Sequence, residues 1–152
     1  MSRLLTCCCL ADLRLVGVIA SVCGMYCCPT LPIYTAAKHG VLGFVRSYGK
    51  YLPEEKITLN AILPNVVRTN ISTPAFYDQL EADGLLTPIE GVVEAFERIL
   101  DGDESGEGFE IGPNYAKGQG IVKPKFLEYV DQPSKEVFDR LYTRAKPLQV
   151  PG

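Results

Sequence analysis

Short, continuously apolar runs alternate along the chain with longer segments in which apolar residues return every three or four positions. Leu15 to Ala20 is the clearest run, rich in β-branched residues and without a polar break, the pattern of a parallel strand buried on both faces. Ser21 to Pro32 carries Gly24, Pro29 and Pro32 and reads as a loop. Tyr34 to Tyr51 predicts a helix: Ala37, Val41, Phe44, Val45 and Tyr48 form one stripe, and Pro53 follows its end. Gly40 and Gly43 each weaken that helix by up to about 1 kcal/mol relative to alanine, and they leave room for another backbone to come close. Ile57 to Leu63 predicts a second strand. Pro74 to Ala82 and Pro88 to Leu100 predict helices with proline near the first turn. Glu107 to Ile111, between Gly106 and Gly112, predicts a short third strand, and Gly118 and Gly120 mark a loop. Ser134 to Ala145 predicts a last helix capped by Ser134, with Glu136 and Asp139 after it. Leu4 to Leu15 supports at most a short helix of poor periodicity, with Cys7-Cys8-Cys9 a weak nucleus. Strand, helix, strand, helix, strand is the order of an α/β protein on a parallel sheet.

At 152 residues there is room for one ordinary domain, and 47% apolar with 22% charged residues is the balance of a globular chain. The net charge of -3 leaves no electrostatic footprint for nucleic acid, and no basic run seeks acidic lipid. Leu15 to Ala37 is uncharged and long enough for a membrane span, but Pro29 and Pro32 interrupt it and Ser21, Thr30, Tyr34 and Thr35 make it polar. Arg3 suits the start of a signal peptide, whereas Asp12 and Arg14 cut the apolar segment short. No myristoylation or prenylation signal accompanies Cys7–Cys9. The expectation is a cytoplasmic protein without membrane attachment. The six cysteines, Cys7, Cys8, Cys9, Cys23, Cys27 and Cys28, lack metal-site spacing, and adjacent cysteines bridge each other poorly. They are expected to be reduced and buried, with no metal.

The chemistry concentrates in Ile33-Tyr34-Thr35-Ala36-Ala37-Lys38-His39-Gly40. Tyr34 and Lys38, four residues apart, share one helix face. An ammonium beside a phenol favours the phenolate, turning a group of ordinary pKa about 10 into a usable acid or base. Ser21 sits thirteen positions upstream of Tyr34, at the end of the first apolar run. A tyrosine and lysine at this spacing are, by themselves, ordinary helix surface. Their placement after a strand, a serine and a proline-bearing loop is what singles them out.

Ser21 with Tyr34-x-x-x-Lys38 resembles the catalytic core of the short-chain dehydrogenase/reductase family. Asn60-Ala61-Ile62-Leu63-Pro64-Asn65-Val66-Val67-Arg68-Thr69 is similar to the family's strand-to-loop segment, Asn-x-x-x-Pro-Gly-x-Val-x-Thr. The resemblance implies a partial Rossmann-type, doubly wound parallel sheet and a nicotinamide cofactor, NAD or NADP. Tyr34 becomes the proton donor or acceptor, Lys38 its partner and a ligand of the nicotinamide ribose, and Ser21 a hydrogen-bond donor to the reacting oxygen. Pro64, Val67 and Thr69 then join Tyr34 and Lys38 in binding the cofactor. Asn65 replaces the family's glycine, and asparagine is the side chain that best tolerates the positive φ expected there. Met25, Tyr26 and Pro29 fall on the substrate side. Asn70 to Gly84 corresponds to the family's substrate lid, with Phe76, Tyr77, Leu80 and Leu85 read either as its apolar inner face or as ordinary core. His39 points elsewhere and has no role. Gly106-x-Gly108-x-x-x-Gly112 imitates a phosphate loop, but Asp101, Asp103, Glu104, Glu107 and Glu110 surround it, so it is a turn before a strand.

The resemblance covers residues 15–112 as the catalytic half, with 1–14 unassigned and 113–152 a C-terminal extension carrying one helix. The family's glycine-rich pyrophosphate turn and its catalytic asparagine have no counterpart before Ser21. The wording around Tyr34 is similar to the branch of hydroxyprostaglandin-dehydrogenase-type and natural-product tailoring enzymes. That branch implies a secondary-metabolism role on an apolar secondary alcohol or ketone. Three readings follow: an oxidoreductase, a truncated non-catalytic remnant, and a binding module that has lost the chemistry. An open sheet edge also implies a homo-oligomer or aggregate.

Overall fold

The computed structural model describes residues 14–145, with side chains through Tyr142. Three strands, β1 (Arg14–Ile19), β2 (Ile57–Pro64) and β3 (Gly108–Ile111), form one parallel sheet in the order β1-β2-β3. Helix α1 (Pro32–Tyr48) connects β1 to β2; α2 (Pro74–Ala82) and α3 (Ile89–Asp101) lie between β2 and β3. Helix α4 (Gln132–Ala145) follows. Val16 pairs with Leu59 and Ile19 with Ile62 across the first ladder; Ile62 pairs with Phe109 across the second.

β2 is the central strand, and it is covered on both faces because its neighbouring residues point to opposite helices. Leu59, Ala61 and Leu63 pack with Leu42 and Val45 of α1, whereas Ile62 packs with Val92, Ala95 and Ile99 of α3 and with Phe109 and Ile111. The sheet is therefore sandwiched between α1 and α3, an α/β arrangement of Rossmann type. Ahead of β3, the buried Asn60 amide in the middle of β2 donates to the Glu104 carbonyl (2.7 Å) and accepts from the Glu107 N–H (3.1 Å). Asn60 thus works as a structural staple for the turn into β3.

The structure corrects several expectations. β1 is an exposed edge strand, with Val16 at 42% and Ile19 at 48%, because among the described residues only β2 flanks it. α1 begins two residues before Tyr34 and ends at Tyr48, and a separate 3₁₀ turn, Leu52–Glu55, takes up Pro53. Its buried side chains are Leu42 and Val45; Phe44 and Tyr48 lie on an exposed flank beside each other. A Cβ on Gly40 or Gly43 would meet no other segment within 4 Å among the described residues, so none of them uses the space the glycines leave. α4 starts before Ser134, whose N–H donates to Asp131 Oδ1 (2.8 Å), making the aspartate the side chain that holds this turn. Hydrogen bonding from the Ser134 side chain, and then from this N–H, lowers the Asp131 carboxyl pKa. Cys23, Cys27 and Cys28 are free but not buried, with Cys27 exposed. The helix expected over Leu4–Leu15 and Cys7, Cys8 and Cys9 fall outside the described residues, except that Arg14 and Leu15 open β1. No helix among the described residues is long and apolar enough to cross a membrane.

Candidate active site

The carboxyl ends of β1 and β2 carry the residues singled out in the sequence, the position at which parallel α/β sheets place ligands. Backbone hydrogen bonding from Ala20 N to Ile62 O (2.8 Å) carries the chain one residue past β1, and Ser21 then caps a 3₁₀ turn, Val22–Gly24. Its Oγ accepts from the Cys23 N–H at 3.1 Å, which fixes the side chain and leaves its own proton to donate. Gly24 follows, and its lack of a side chain matters here: a Cβ would lie 2.9 Å from the Lys38 carbonyl oxygen and 3.4 Å from Leu42 Cβ. The Ser21 turn is therefore pressed against α1 at Lys38 and Leu42. Sequence reasoning took Gly24 only as loop punctuation. Its place three residues after Ser21 was the available signal.

Tyr34 lies in the first turn of α1 and is 43% exposed. The Lys38 ammonium stands 5.5 Å from the centre of the Tyr34 ring and donates to the Ile19 carbonyl at 3.3 Å. That bond ties α1 to the end of β1, two residues before Ser21. Lys38 thus stands by the Tyr34 ring and is bonded to β1, while the one hydrogen bond of Ser21 Oγ among the described residues is to the Cys23 N–H.

Pro64 ends β2, and the loop to Thr69 follows it. Asn65 departs from expectation: among described non-glycine residues only Lys56 has positive φ. The asparagine side chain makes the left-handed turn unnecessary, because its Oδ1 accepts from the Val66 N–H (2.9 Å) while its own N–H donates to Ile111 O (3.0 Å). Val66 O accepts from Thr87 N (2.8 Å). The Val67 N–H and carbonyl make no hydrogen bond among the described residues. A cleft of about 570 Å³ opens beside this loop, lined by Val67, Arg68, Leu86, Thr87 and Lys117 among others, and not by Ser21, Tyr34 or Lys38.

The expected substrate-side residues separate. Met25 packs against the α1 core. Tyr26 is exposed and its hydroxyl donates to both carboxylate oxygens of Glu110 (3.1 and 3.2 Å); desolvation first, and then this bond, raises the phenol pKa. Pro29 lines a small apolar recess with Cys27, Cys28 and His39, whose Nδ1 meets the Thr35 carbonyl at 3.0 Å. In the lid segment Tyr77 is core, 2% exposed, whereas Phe76 and Leu85 are exposed. Gly106, at φ +80°, makes the turn before β3. No group of three or more His, Cys, Asp or Glu among the described residues could hold a metal ion.

Residues 15–80 match the family model for short chain dehydrogenases. The chain is 37% identical over 85 residues to the short-chain dehydrogenase/reductase prx7 of Penicillium rubens, a match covering 56% of this chain and 30% of that protein. A solved 4-hydroxyisoleucine dehydrogenase complexed with NADH and succinate superimposes with a TM-score of 0.54 at 25% identity, over 68% of this chain and 46% of that one. The 3-oxoacyl-[acyl-carrier protein] reductase of Brucella melitensis shares the fold, with a TM-score of 0.58 at 22% identity over 70% of this chain and 46% of its own. Over residues 15–80 the chain is similar to the short-chain dehydrogenase/reductase family. It spans less than half the length of these relatives.

Proposed function

We propose that this chain is the catalytic half, residues 15–112, of an NAD(P)-dependent oxidoreductase that interconverts a secondary alcohol and a ketone, with residues 113–152 as an extension. The observation that carries the reading is the Lys38 bridge, which faces the Tyr34 ring while bonded to the Ile19 carbonyl beside Ser21. Tyr34 exchanges a proton between its hydroxyl and the substrate oxygen. Being 43% exposed, it trades that proton with water directly, so the family's asparagine relay is not needed for access. Ser21 donates its remaining proton to the same substrate oxygen and orients it. A nicotinamide, when bound, accepts or supplies the hydride. The residues present fit one: the open N–H and carbonyl of Val67 match the acceptor and donor of a carboxamide, after Pro64 has ended the strand. Thr69 supplies a further hydroxyl. The NADH in the 4-hydroxyisoleucine dehydrogenase neighbour supports the same cofactor class. Exposed Phe76 and Leu85 beside the loop favour an apolar substrate, in keeping with a natural-product alcohol or ketone.

A second reading, a binding module or inactive remnant, is favoured by one observation. Among the described residues no glycine-rich turn at a helix N-terminus is available to a pyrophosphate, since Gly106 lies before a strand that Gly108 opens, in acidic surroundings. Titrating residues 1–152 with NADH and NADPH, then following alcohol-dependent reduction of NAD and NADP, separates the readings. The oxidoreductase binds and turns over, and Tyr34→Phe lowers turnover by about 10²- to 10⁴-fold with cofactor binding retained. Binding without turnover supports the module. Neither binding nor turnover overturns the proposal.

A further inference from the structure

We propose that Tyr77 of α2 is a positioning residue that aims the proton of the Thr69 hydroxyl outward, making Thr69 a donor to a hydrogen-bond acceptor on the nicotinamide nucleotide. The inference rests on reading Pro64 to Thr69 as the nicotinamide loop, but its basis is a separate hydrogen-bond count. A threonine hydroxyl has one proton and two lone pairs. One lone pair of Thr69 Oγ1 accepts from the Ile71 N–H at 3.3 Å. Tyr77 Oη lies 3.1 Å away, and that contact alone runs in either direction.

Burial decides the direction. Tyr77 is 2% exposed, and Thr69 Oγ1 is the one hydrogen-bond partner of its hydroxyl among the described residues. If Thr69 donated to Tyr77, the tyrosine proton would be left inside the protein with no acceptor, the costlier of the two arrangements. Tyr77 therefore donates. Both lone pairs of Thr69 are then occupied, and its proton faces the exposed side of the loop. The outcome is selectivity for acceptor oxygens, such as a carboxamide carbonyl or a phosphate, over donor groups.

The partners of α2 keep Tyr77 at that distance. Arg68, the residue before Thr69, bonds Asp78 Oδ1 (2.8 Å) and Glu81 Oε2 (2.9 Å), and its guanidinium stands 5.5 Å from the Tyr77 ring centre. Thr73 caps α2 by accepting from the Phe76 N–H at 3.4 Å. The lid helix and the loop are thus clipped together on both sides of the Thr69 hydroxyl.

Two measurements on the full 152-residue chain test the assignment. The first is thermal melting without cofactor, where Thr69→Val strands a buried donor and Tyr77→Phe strands nothing. Thr69→Val is expected to lower Tm more than Tyr77→Phe, and the double variant to melt above Thr69→Val alone. If Tyr77→Phe lowers Tm more, or the double variant melts below both single ones, the donor direction is wrong and the inference falls. The second is the NADH Kd by fluorescence. Tyr77→Phe and Thr69→Val are each expected to raise it five- to tenfold, with the double variant no worse than Thr69→Val and Thr69→Ser like wild type. Losses that multiply in the double variant, or no loss in Tyr77→Phe, overturn the positioning role. Should the unaltered chain bind no NADH, the nicotinamide reading fails and the Thr69–ligand half of the inference with it; the melting series still decides which hydroxyl donates.

Discussion

Lys38 and Tyr26 each join the site to an element distant in sequence. The Lys38 bond to the Ile19 carbonyl couples α1 to the strand that delivers Ser21. Tyr26 couples the loop between them to β3 through Glu110, and its phenol pKa is raised above the ordinary 10.0, first by desolvation and then by the carboxylate. The sign follows from linkage. A folded-state pKa above the unfolded one stabilises the protein fully below about pH 10, and the contribution is lost as pH rises through the folded value. Ultraviolet titration of wild type against Tyr26→Phe should isolate one phenol ionising later than an ordinary tyrosine. Glu110→Gln should bring it back toward 10, and a titration unchanged by that substitution would show that the carboxylate is not a cause. The residue types at positions 21, 34 and 38 were legible in the sequence because their spacing is local. The partners, Ile19 O and Glu110, were not, because they come from elements that meet only on folding.

α1 illustrates why element boundaries and faces differ in legibility. Its existence follows from helical periodicity, but the stripe read from it held Phe44, Val45 and Tyr48, and packing against β2 buries Leu42 and Val45 while leaving Phe44 and Tyr48 exposed. Gly24 shows the same dependence at the loop that meets α1. The approach of 2.9 Å to a backbone oxygen cannot relax by rotating a side chain. Gly24→Ala is accordingly expected to displace the Ser21 turn, costing about 1–3 kcal/mol in stability and lowering alcohol-dependent turnover by about a hundredfold. Melting curves and steady-state rates measured together check this, and full turnover in that variant would mean the close contact does not position Ser21. α2 was legible to the residue, since Thr73 and Pro74 form a cap and first helical position by local chemistry alone.

Among the described residues the sheet presents an unprotected edge. There β1 pairs on one side only, and Val16 and Ile19 are exposed along it, with Val93 and Leu100 of α3 exposed as well. An open parallel edge with apolar side chains is a template for another strand. Self-association is therefore expected to rise with concentration, and Val16→Lys, placed away from the Ser21 end, should shift sedimentation profiles toward monomer. Profiles unchanged by that charge would show that association, if present, uses another face.

The amino-acid sequence by itself determined the order of strands and helices, the α/β class and the spacing of serine, tyrosine and lysine. These depend on periodicity, turn chemistry and local distance, all properties of neighbouring residues. Tertiary structure alone decided that β1 is an edge rather than a buried strand, and that Asn60 is a staple. It also decided that Asn65 satisfies Val66 without positive φ, and that Tyr77 rather than Phe76 faces Thr69. Each of those outcomes turns on which segment arrives from elsewhere in the chain to cover a face or accept a proton.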